Sequence, residues 1–156
     1  MNQGTISSLL PIFNTASEVG YGTVIASLAG FAVLRNAFMD IAPGRPLISE
    51  ALAVNVLAGI TGSASGGLSI ALSAMGPTFL SSGAAAGVSA ELLHRVAAIS
   101  SGGLDSLPHN GGVITILAIC QLTHRESYKD IFVVSVLGPL LALLAVLALG
   151  VTFGSF

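Results

Sequence analysis

The chain has 156 residues, of which 53% are hydrophobic and only 8% are charged, with a formal net charge of -2. Soluble domains carry about 25% charged residues, so too few polar side chains are present to cover a surface in water, and we predict a membrane protein. The small, dispersed charge excludes a nucleic-acid-binding surface, and the single cysteine, Cys120, excludes an internal disulfide and is predicted to be a small buried side chain.

The first predicted helix covers about residues 15–34. Thr15 is a candidate N-cap, and Glu18 follows three residues later, as in a capping box. Residues 35–46, RNAFMDIAPGRP, predict a loop, because two prolines, a glycine and three charges end the helix there. The preceding residues, MNQGTISSLLPIF, lack the basic start of a signal peptide.

The middle of the chain has 40 residues without a charge between Glu50 and Glu91. One straight helix of that length would run about 60 Å, twice the hydrocarbon core of about 30 Å. The strongest turn sequence is TGSASGG at 61–67, which fits either two full spans joined by an aqueous turn or a re-entrant hairpin over about 47–87. We favour the hairpin, because the turn lacks Lys, Asp and Asn. Glu50 and Glu91 are expected in helix first turns, where the dipole favours acidic side chains.

A second interruption is the stretch SSGGLDSLPHNGG at 100–112. Ser89 and Asn110 are the predicted N-caps of two short helices that end near Ile99 and Leu122. Each helix would span only about 17 Å, so the pair is predicted to make one discontinuous crossing over residues 89–123. Discontinuous helices with Gly and Pro interruptions are the best sequence indicators of a transporter's binding site.

The last predicted helix, residues 131–153, has 23 residues without a charge. It would be about 34 Å long and would cross the membrane. Residues 124–130, HRESYKD, are predicted as the polar loop before it. This loop and the loop at 35–46 each carry two Lys or Arg residues, so the positive-inside rule leaves the orientation open. We therefore expect one transmembrane domain over residues 1–156, all-α and polytopic.

The two interruptions predict a substrate site, because the start of a helix exposes unpaired N–H groups that attract anions. Glycines let a ligand approach the backbone closely, and hydroxyls suit a hydroxylated substrate. If the interruptions face each other, they form a neutral cradle for a small carboxylate. The predicted substrate-binding residues are Thr61, Ser63, Ser65, Gly66, Gly67, Ser101, Ser106, Asn110, Gly111 and Gly112.

Two ionisable residues, Asp105 and His109, lie in the second interruption. Ionisable side chains inside a membrane are costly and usually functional, and histidine titrates near physiological pH. Both are therefore predicted proton carriers, and a proton is the expected coupling ion. No Walker loop, G-x-S-x-G, zinc spacing or cofactor motif occurs, so neither an enzyme nor a cofactor is predicted.

The sequence closely resembles the gluconate permease family over nearly its whole length. The resemblance lies in LLPIFNTASEVGYGTVIASL (9–28), NVLAGITGSASGGLSIAL (55–72), ELLHRVAAISSGGLDSLPHNGGVITILAICQLTH (91–124) and YKDI (128–131). Members are multi-pass symporters of the bacterial inner membrane that take up gluconate and related sugar acids or hydroxy acids with protons. Relatives carry gluconate, other aldonates, 3-hydroxybutyrate or D-serine, so the resemblance leaves the substrate open.

The resemblance also implies an architecture, because the family belongs with a larger ion-transporter superfamily. It implies two inverted repeats, each with a re-entrant hairpin and a discontinuous helix that share the substrate. TGSASGG and LDSLPHNGG would be the contribution of one repeat. Family members are roughly three times as long, so we expect a fragment of a longer permease, or a chain completed by another subunit or by further copies. The alternative is a small structural or regulatory membrane subunit that pairs with a larger permease.

Overall fold

The computed structural model describes residues 3–154, without the side chains of residues 3, 14, 15, 18, 19, 22 and 26. Over that range the chain forms helices and no strand, which confirms the all-α prediction. The helices are α1 (Gln3–Ser7), α2 (Leu9–Ser27), α3 (Ala29–Ile41), α4 (Pro46–Thr61), α5 (Ala64–Ala85), α6 (Ala90–Ser101), α7 (Gly111–Cys120), α8 (His124–Phe132), a π-helical turn (Val133–Leu137) and α9 (Gly138–Phe153).

The N-terminal region differs from the single helix predicted at about 15–34. Helix α2 begins at Leu9 and passes through the predicted cap Thr15, whose side chain lies outside the described residues, as does that of Glu18. Leu28 adopts an extended backbone and separates α2 from α3. Helix α3 then continues to Ile41, inside the predicted loop. It ends there because Pro43 disfavours a helical backbone at the residue before it.

Helices α4 and α5 fold back on each other and form the centre of the core. The turn between them lies in the predicted TGSASGG stretch, and Gly62 takes the left-handed backbone, with φ 63°, that ends α4. A Cβ at Gly67 would overlap the backbone of Ala58, so this glycine permits the close approach of the two helices. Leu57 and Phe79 are among the fully buried side chains packed between them.

Helices α6 and α7 begin at the two predicted caps. The Ser89 hydroxyl accepts a hydrogen bond from the Leu92 amide at 3.2 Å, and α6 ends at Ser101. Residues 102–110 are not helical, and α7 begins at Gly111. Helix α6 packs on α4 and α9 through a second core cluster, which contains Leu47, Ala51, Leu92, Leu93, Val96 and Leu143.

The C-terminal helix is longer than predicted. Residues 124–130 are not a loop but the start of a continuous 30-residue helix, His124–Phe153. The correction has a local cause: Thr123 and Glu126 form a capping box that starts α8. At the π-helical turn the Gly138 amide donates to the Val133 carbonyl, and Pro139, which has no N–H, follows directly. Among the described residues this is the one helix long and apolar enough to cross a membrane, and only 11% of its most apolar window is buried.

Candidate functional site at the junction of two helix interruptions

The structure brings the two interruptions into direct contact. We call residues 61–67 the α4–α5 turn and residues 102–110 the α6–α7 segment. The Asn110 side-chain amide donates a hydrogen bond to the Gly62 carbonyl at 2.6 Å. The His109 Nε2 lies 2.8 Å from the Gly59 carbonyl, which can only accept, so this nitrogen carries the proton. The α6–α7 segment is therefore attached to the end of α4.

Asn110 joins this contact to the start of a helix. Its side-chain oxygen accepts a hydrogen bond from the Val113 amide at 2.8 Å, which is the N-cap interaction predicted for this residue. The carboxamide thus uses its oxygen to cap α7 and its nitrogen to hold Gly62. Both neighbouring interruptions depend on one side chain.

Two glycines allow the α6–α7 segment to lie directly on α4. A Cβ at Gly59 would approach the Leu104 Cβ at 3.1 Å, and one at Gly103 would overlap the Asn55 carboxamide oxygen. Asn55 donates through its nitrogen to the Ala51 carbonyl at 2.9 Å. Its oxygen is buried without a hydrogen-bond partner among the described residues. The junction therefore contains close backbone packing beside an unsatisfied acceptor.

The polar groups of the α4–α5 turn are mostly engaged within the turn. The Thr61 hydroxyl donates to the Leu57 carbonyl at 2.8 Å. The Ser63 hydroxyl accepts from the Gly66 amide at 3.2 Å, and the Ser63 carbonyl accepts from the Gly67 amide at 2.9 Å. Ser65 is exposed, and its hydroxyl lies 3.4 Å from that of Ser63. Ser65 is thus the predicted turn residue that presents a side chain outward.

The predicted substrate-binding residues in and next to the α6–α7 segment occupy different environments. The Ser101 hydroxyl donates to the Ala98 carbonyl at 2.8 Å within α6. The Ser106 hydroxyl donates to a carboxylate oxygen of Asp105 at 3.1 Å, and both residues are half-buried. At the start of α7, Gly111 is buried and Gly112 is exposed.

Helix α8 also contacts the α6–α7 segment. The Tyr128 hydroxyl donates to the Ser106 carbonyl at 3.1 Å. The His124 Nε2 lies 2.9 Å from the Pro108 carbonyl. Neither residue was predicted to belong to the site. The signal was present in the sequence, since the capping box at 123–126 starts a helix that places both side chains on the face toward the segment.

One carboxyl near the site has a shifted pKa. Hydrogen bonds from the Thr123 hydroxyl, at 2.7 Å, and the Thr123 amide, at 2.9 Å, hold the pKa of the exposed Glu126 below its ordinary value. This residue lies in the polar stretch before the apolar residues 131–153. The capping box is therefore strongest when Glu126 is ionised.

The charges and hydrogen-bond donors of the α4–α5 turn and the α6–α7 segment limit which ligands the site can bind. Neither the α4–α5 turn nor the α6–α7 segment contains Lys or Arg. Their donors are amides, hydroxyls, a carboxamide and one imidazole. Over residues 3–154, where side chains are described, no three or more His, Cys, Asp or Glu residues are grouped to hold a metal ion. The arrangement offers hydrogen bonds to a small polar ligand.

Comparison with known proteins shows similarity to a protein named as a transporter. It is 47% identical over 141 residues to a protein from Bacillus subtilis (strain 168) named "Uncharacterized transporter YxjC". The alignment covers 88% of this chain and 29% of that protein, so the chain spans less than a third of its relative's length. No family model matches the chain, and no solved structure matches it.

Two observations, the similarity to a named transporter and the apolar C-terminal helix, bear on whether this is a membrane protein. The similar protein is named as a transporter. The helix His124–Phe153 is long, apolar and largely unburied, as expected of a segment in contact with lipid. Together they indicate a membrane protein.

Proposed function

We propose that the chain forms part of a proton-coupled secondary transporter for gluconate or a related hydroxy acid in the bacterial inner membrane. The hydrogen bond between Asn110 and Gly62 carries the proposal, because it joins two helix interruptions whose amides and hydroxyls suit a small carboxylate. The similarity to a named transporter and the resemblance to gluconate permeases support it. The remainder of the site is assigned to further permease sequence or to another subunit.

In this proposal the α4–α5 pair is a re-entrant hairpin and α6–α7 is a discontinuous crossing. Non-helical backbone is tolerated at membrane depth where it lies within protein or lines a cavity. The contacts of the α6–α7 segment with Gly59 near the end of α4 and with Gly62 of the α4–α5 turn support this arrangement. The first substrate contacts are assigned to the exposed Ser65 and Gly112.

The remaining predicted ligands are assigned to a second step of binding. The Gly66 and Gly67 amides already donate to Ser63, so the substrate carboxylate must compete with these local hydrogen bonds. A change in the turn would also move Gly62 and, through it, Asn110. Substrate binding is thereby coupled to the position of the α6–α7 segment, as alternating access requires.

The test is uptake of radiolabelled gluconate by the complete transporter that contains this chain, reconstituted in proteoliposomes. Ser65→Ala and Asn110→Ala are expected to lower uptake. Ser81→Ala is the matched control, because this serine also lies on α5 but its hydroxyl bonds within the helix to the Thr78 carbonyl. Equal uptake by all three variants would remove the junction from the substrate path.

Proton coupling through Asp105 and His109 has its own test. Asp105→Asn and His109→Gln are each expected to weaken uptake driven by an imposed pH gradient more than exchange of internal for external substrate. Exchange needs substrate binding without net proton movement, so it separates the two roles. Unchanged gradient-driven uptake in both variants would reject the assignment.

The membrane position of the α4–α5 turn can be measured by cysteine labelling. The native Cys120 is exposed, contrary to the predicted burial, so Ser65→Cys is made in a Cys120→Ser background. A re-entrant turn predicts slow labelling by a membrane-impermeant maleimide and protection by gluconate. Rapid labelling without protection would favour two full spans joined in water.

A further inference from the structure

A buried carboxyl lies in the part of the bundle away from the candidate site. Glu50 was expected in the first turn of α4, but the helix begins at Pro46, which places it in the second turn, beyond the main influence of the dipole. Its side chain is only 2% exposed. Its Oε2 has no hydrogen-bond partner among the described residues. The burial of Glu50 is therefore a feature that the local sequence does not indicate.

Glu50 lines a cavity of about 330 Å³ between α4, α5 and α6. Most of the wall is apolar and includes Leu72, Phe79 and Leu93. The cavity shares no residue with the α4–α5 turn or the α6–α7 segment. Its one other titratable wall residue is His94 of α6, which is exposed. The cavity thus connects a buried acid with a side chain that reaches the outside.

No charge among the described side chains compensates Glu50. Helix α5 contains no charged or titratable residue. The titratable side chains on the other elements packed against α4 are exposed, apart from that of Glu18, which is not described. They are Tyr21 of α2, Arg35 and Asp40 of α3, Arg45 before α4, and Glu91, His94 and Arg95 of α6.

A lone carboxylate in such surroundings is costly, because the ion loses its water and gains no opposite charge. The neutral acid avoids most of this cost. A buried acid that is ionised only when water or an acceptor reaches it is a proton store. Through the cavity, water or a proton acceptor can reach Glu50 past His94.

We propose that Glu50 is a proton-binding group that holds its proton as a neutral acid and exchanges it through the cavity by way of His94. In the exchange the O–H bond of the Glu50 carboxyl breaks, and the proton passes through water in the cavity and forms an N–H bond on neutral His94. The resulting imidazolium releases the proton to water, and the reverse sequence reloads the acid. Proton binding stands independently of transport, whereas a part in coupling rests on the proposed function.

The direct test is infrared difference spectroscopy on the purified full chain in lipid nanodiscs at neutral pH. The carbonyl stretch of a protonated carboxylic acid is expected in the unaltered protein and is expected to be lost in Glu50→Gln. Glu91→Gln is the matched control, because it removes an exposed carboxyl one helix away and should leave the band unchanged. The same spectrum in Glu50→Gln and the unaltered protein would overturn the proposal.

A second variant keeps the test decisive if Glu50→Gln does not fold. Glu50→Asp keeps the acid and is expected to retain the band at a shifted frequency, since the shorter side chain occupies a different part of the cavity. If Glu50→Gln does not give a single species on gel filtration, this shift becomes the deciding observation. An unshifted band in Glu50→Asp would assign the signal to another residue and overturn the proposal.

The exchange route is tested by the rate at which the Glu50 band responds to a rapid change of pH. His94→Gln is expected to slow the response at least several-fold without abolishing the band, and Glu91→Gln is expected to leave the rate unchanged. An equal rate in His94→Gln would overturn the route through this residue. In the reconstituted transporter, Glu50→Gln should lose gradient-driven uptake and keep substrate exchange. If the unaltered protein carries no gluconate, the proposed function fails while the spectroscopic result remains.

Discussion

The Asn110 carboxamide bonds to the Gly62 carbonyl across 48 residues of sequence, at a distance of 2.6 Å. The same side chain accepts the Val113 amide at 2.8 Å. Its orientation is therefore fixed at both ends, and the α4–α5 turn cannot move away from the start of α7 without breaking one of these bonds. This relationship makes the two interruptions a single structural unit.

Replacing Asn110 separates its two roles. Asn110→Asp keeps an acceptor for the Val113 amide but loses the donor to Gly62, whereas Asn110→Ala loses both. We expect Asn110→Ala to reduce the free energy of unfolding by about 2 kcal/mol, from about 1 for an N-cap and about 1 for a hydrogen bond. Thermal unfolding in detergent, followed by circular dichroism, measures the change.

The control for this pair is Ser89→Ala, which removes the N-cap of α6 at a distance from the junction. It is expected to cost about 1 kcal/mol of stability and to leave substrate uptake unchanged. Asn110→Asp is expected to affect uptake more than stability. If Ser89→Ala and Asn110→Asp lower uptake equally, the contact with Gly62 has no special role.

The two glycines Gly67 and Gly76 of α5 should respond differently to alanine. A methyl group at Gly67 would overlap the Ala58 backbone, whereas one at Gly76 would meet only the Leu72 Cβ at 3.9 Å. Gly67→Ala is expected to destabilise by at least about 1–3 kcal/mol, as overpacking does. Gly76→Ala is expected to change the stability little, because the gain in helix propensity is offset by the Pro77 ring, which disfavours a helical backbone at a preceding residue that has a Cβ. Melting temperatures that fall equally would contradict the close α4–α5 packing.

The Tyr128 hydroxyl attaches α8 to the α6–α7 segment. Tyr128→Phe keeps the ring and removes the donor to the Ser106 carbonyl, so we expect a loss of about 1 kcal/mol in stability. Amide hydrogen exchange should also increase within residues 102–110. Tyr21→Phe changes the same atom on an exposed ring of α2 and is expected to alter neither measurement.

The capping box of α8 should weaken in acid. The pKa of Glu126 is below its ordinary value of 4.5 in the folded chain, so its contribution to stability is present above that value and is lost as the pH falls through the lowered folded pKa. Thr123→Ala and Glu126→Gln are expected to reduce this acid-dependent loss of melting temperature. Asp130→Asn removes one negative charge from the same helix and serves as the control; an equal effect in this variant would point to general charge instead.

The local signals in the sequence predicted the interruptions well. Ser89 and Asn110 cap α6 and α7 as expected, because a hydroxyl or carboxamide before an apolar run satisfies the free amides of a helix start. The turn at TGSASGG was likewise predicted from glycine and serine content. These features depend on neighbours within four residues, which a single sequence contains.

Features that depend on distant neighbours were not predicted. Burial of Glu50 results from the packing of α5 and α6 on α4, and the engagement of the Gly66 and Gly67 amides by Ser63 results from the exact path of the turn. The break at Leu28 has no proline, and the glycine nearest to it, Gly30, lies inside α3. The difference at residues 124–130 has a local cause, because the capping box of Thr123 and Glu126 is visible in the sequence and starts a helix that runs through the charged residues.

The π-helical turn before Pro139 has a consequence for the two halves of the last helix. A π-helical turn includes one residue more than an α-helical turn, and each residue rotates the helix by about 100°. The turn therefore sets the angular phase between Tyr128, which holds the α6–α7 segment, and Gly150, which packs on Leu92. Deleting one residue at 133–137 is expected to convert this turn to an α-helical turn and to keep both contacts in phase, whereas deleting one residue at 140–148, within regular α-helix, would rotate one contact surface by about 100° away from its partner. In the last helix, the rotational phase between its two contacts matters as much as its hydrophobic length.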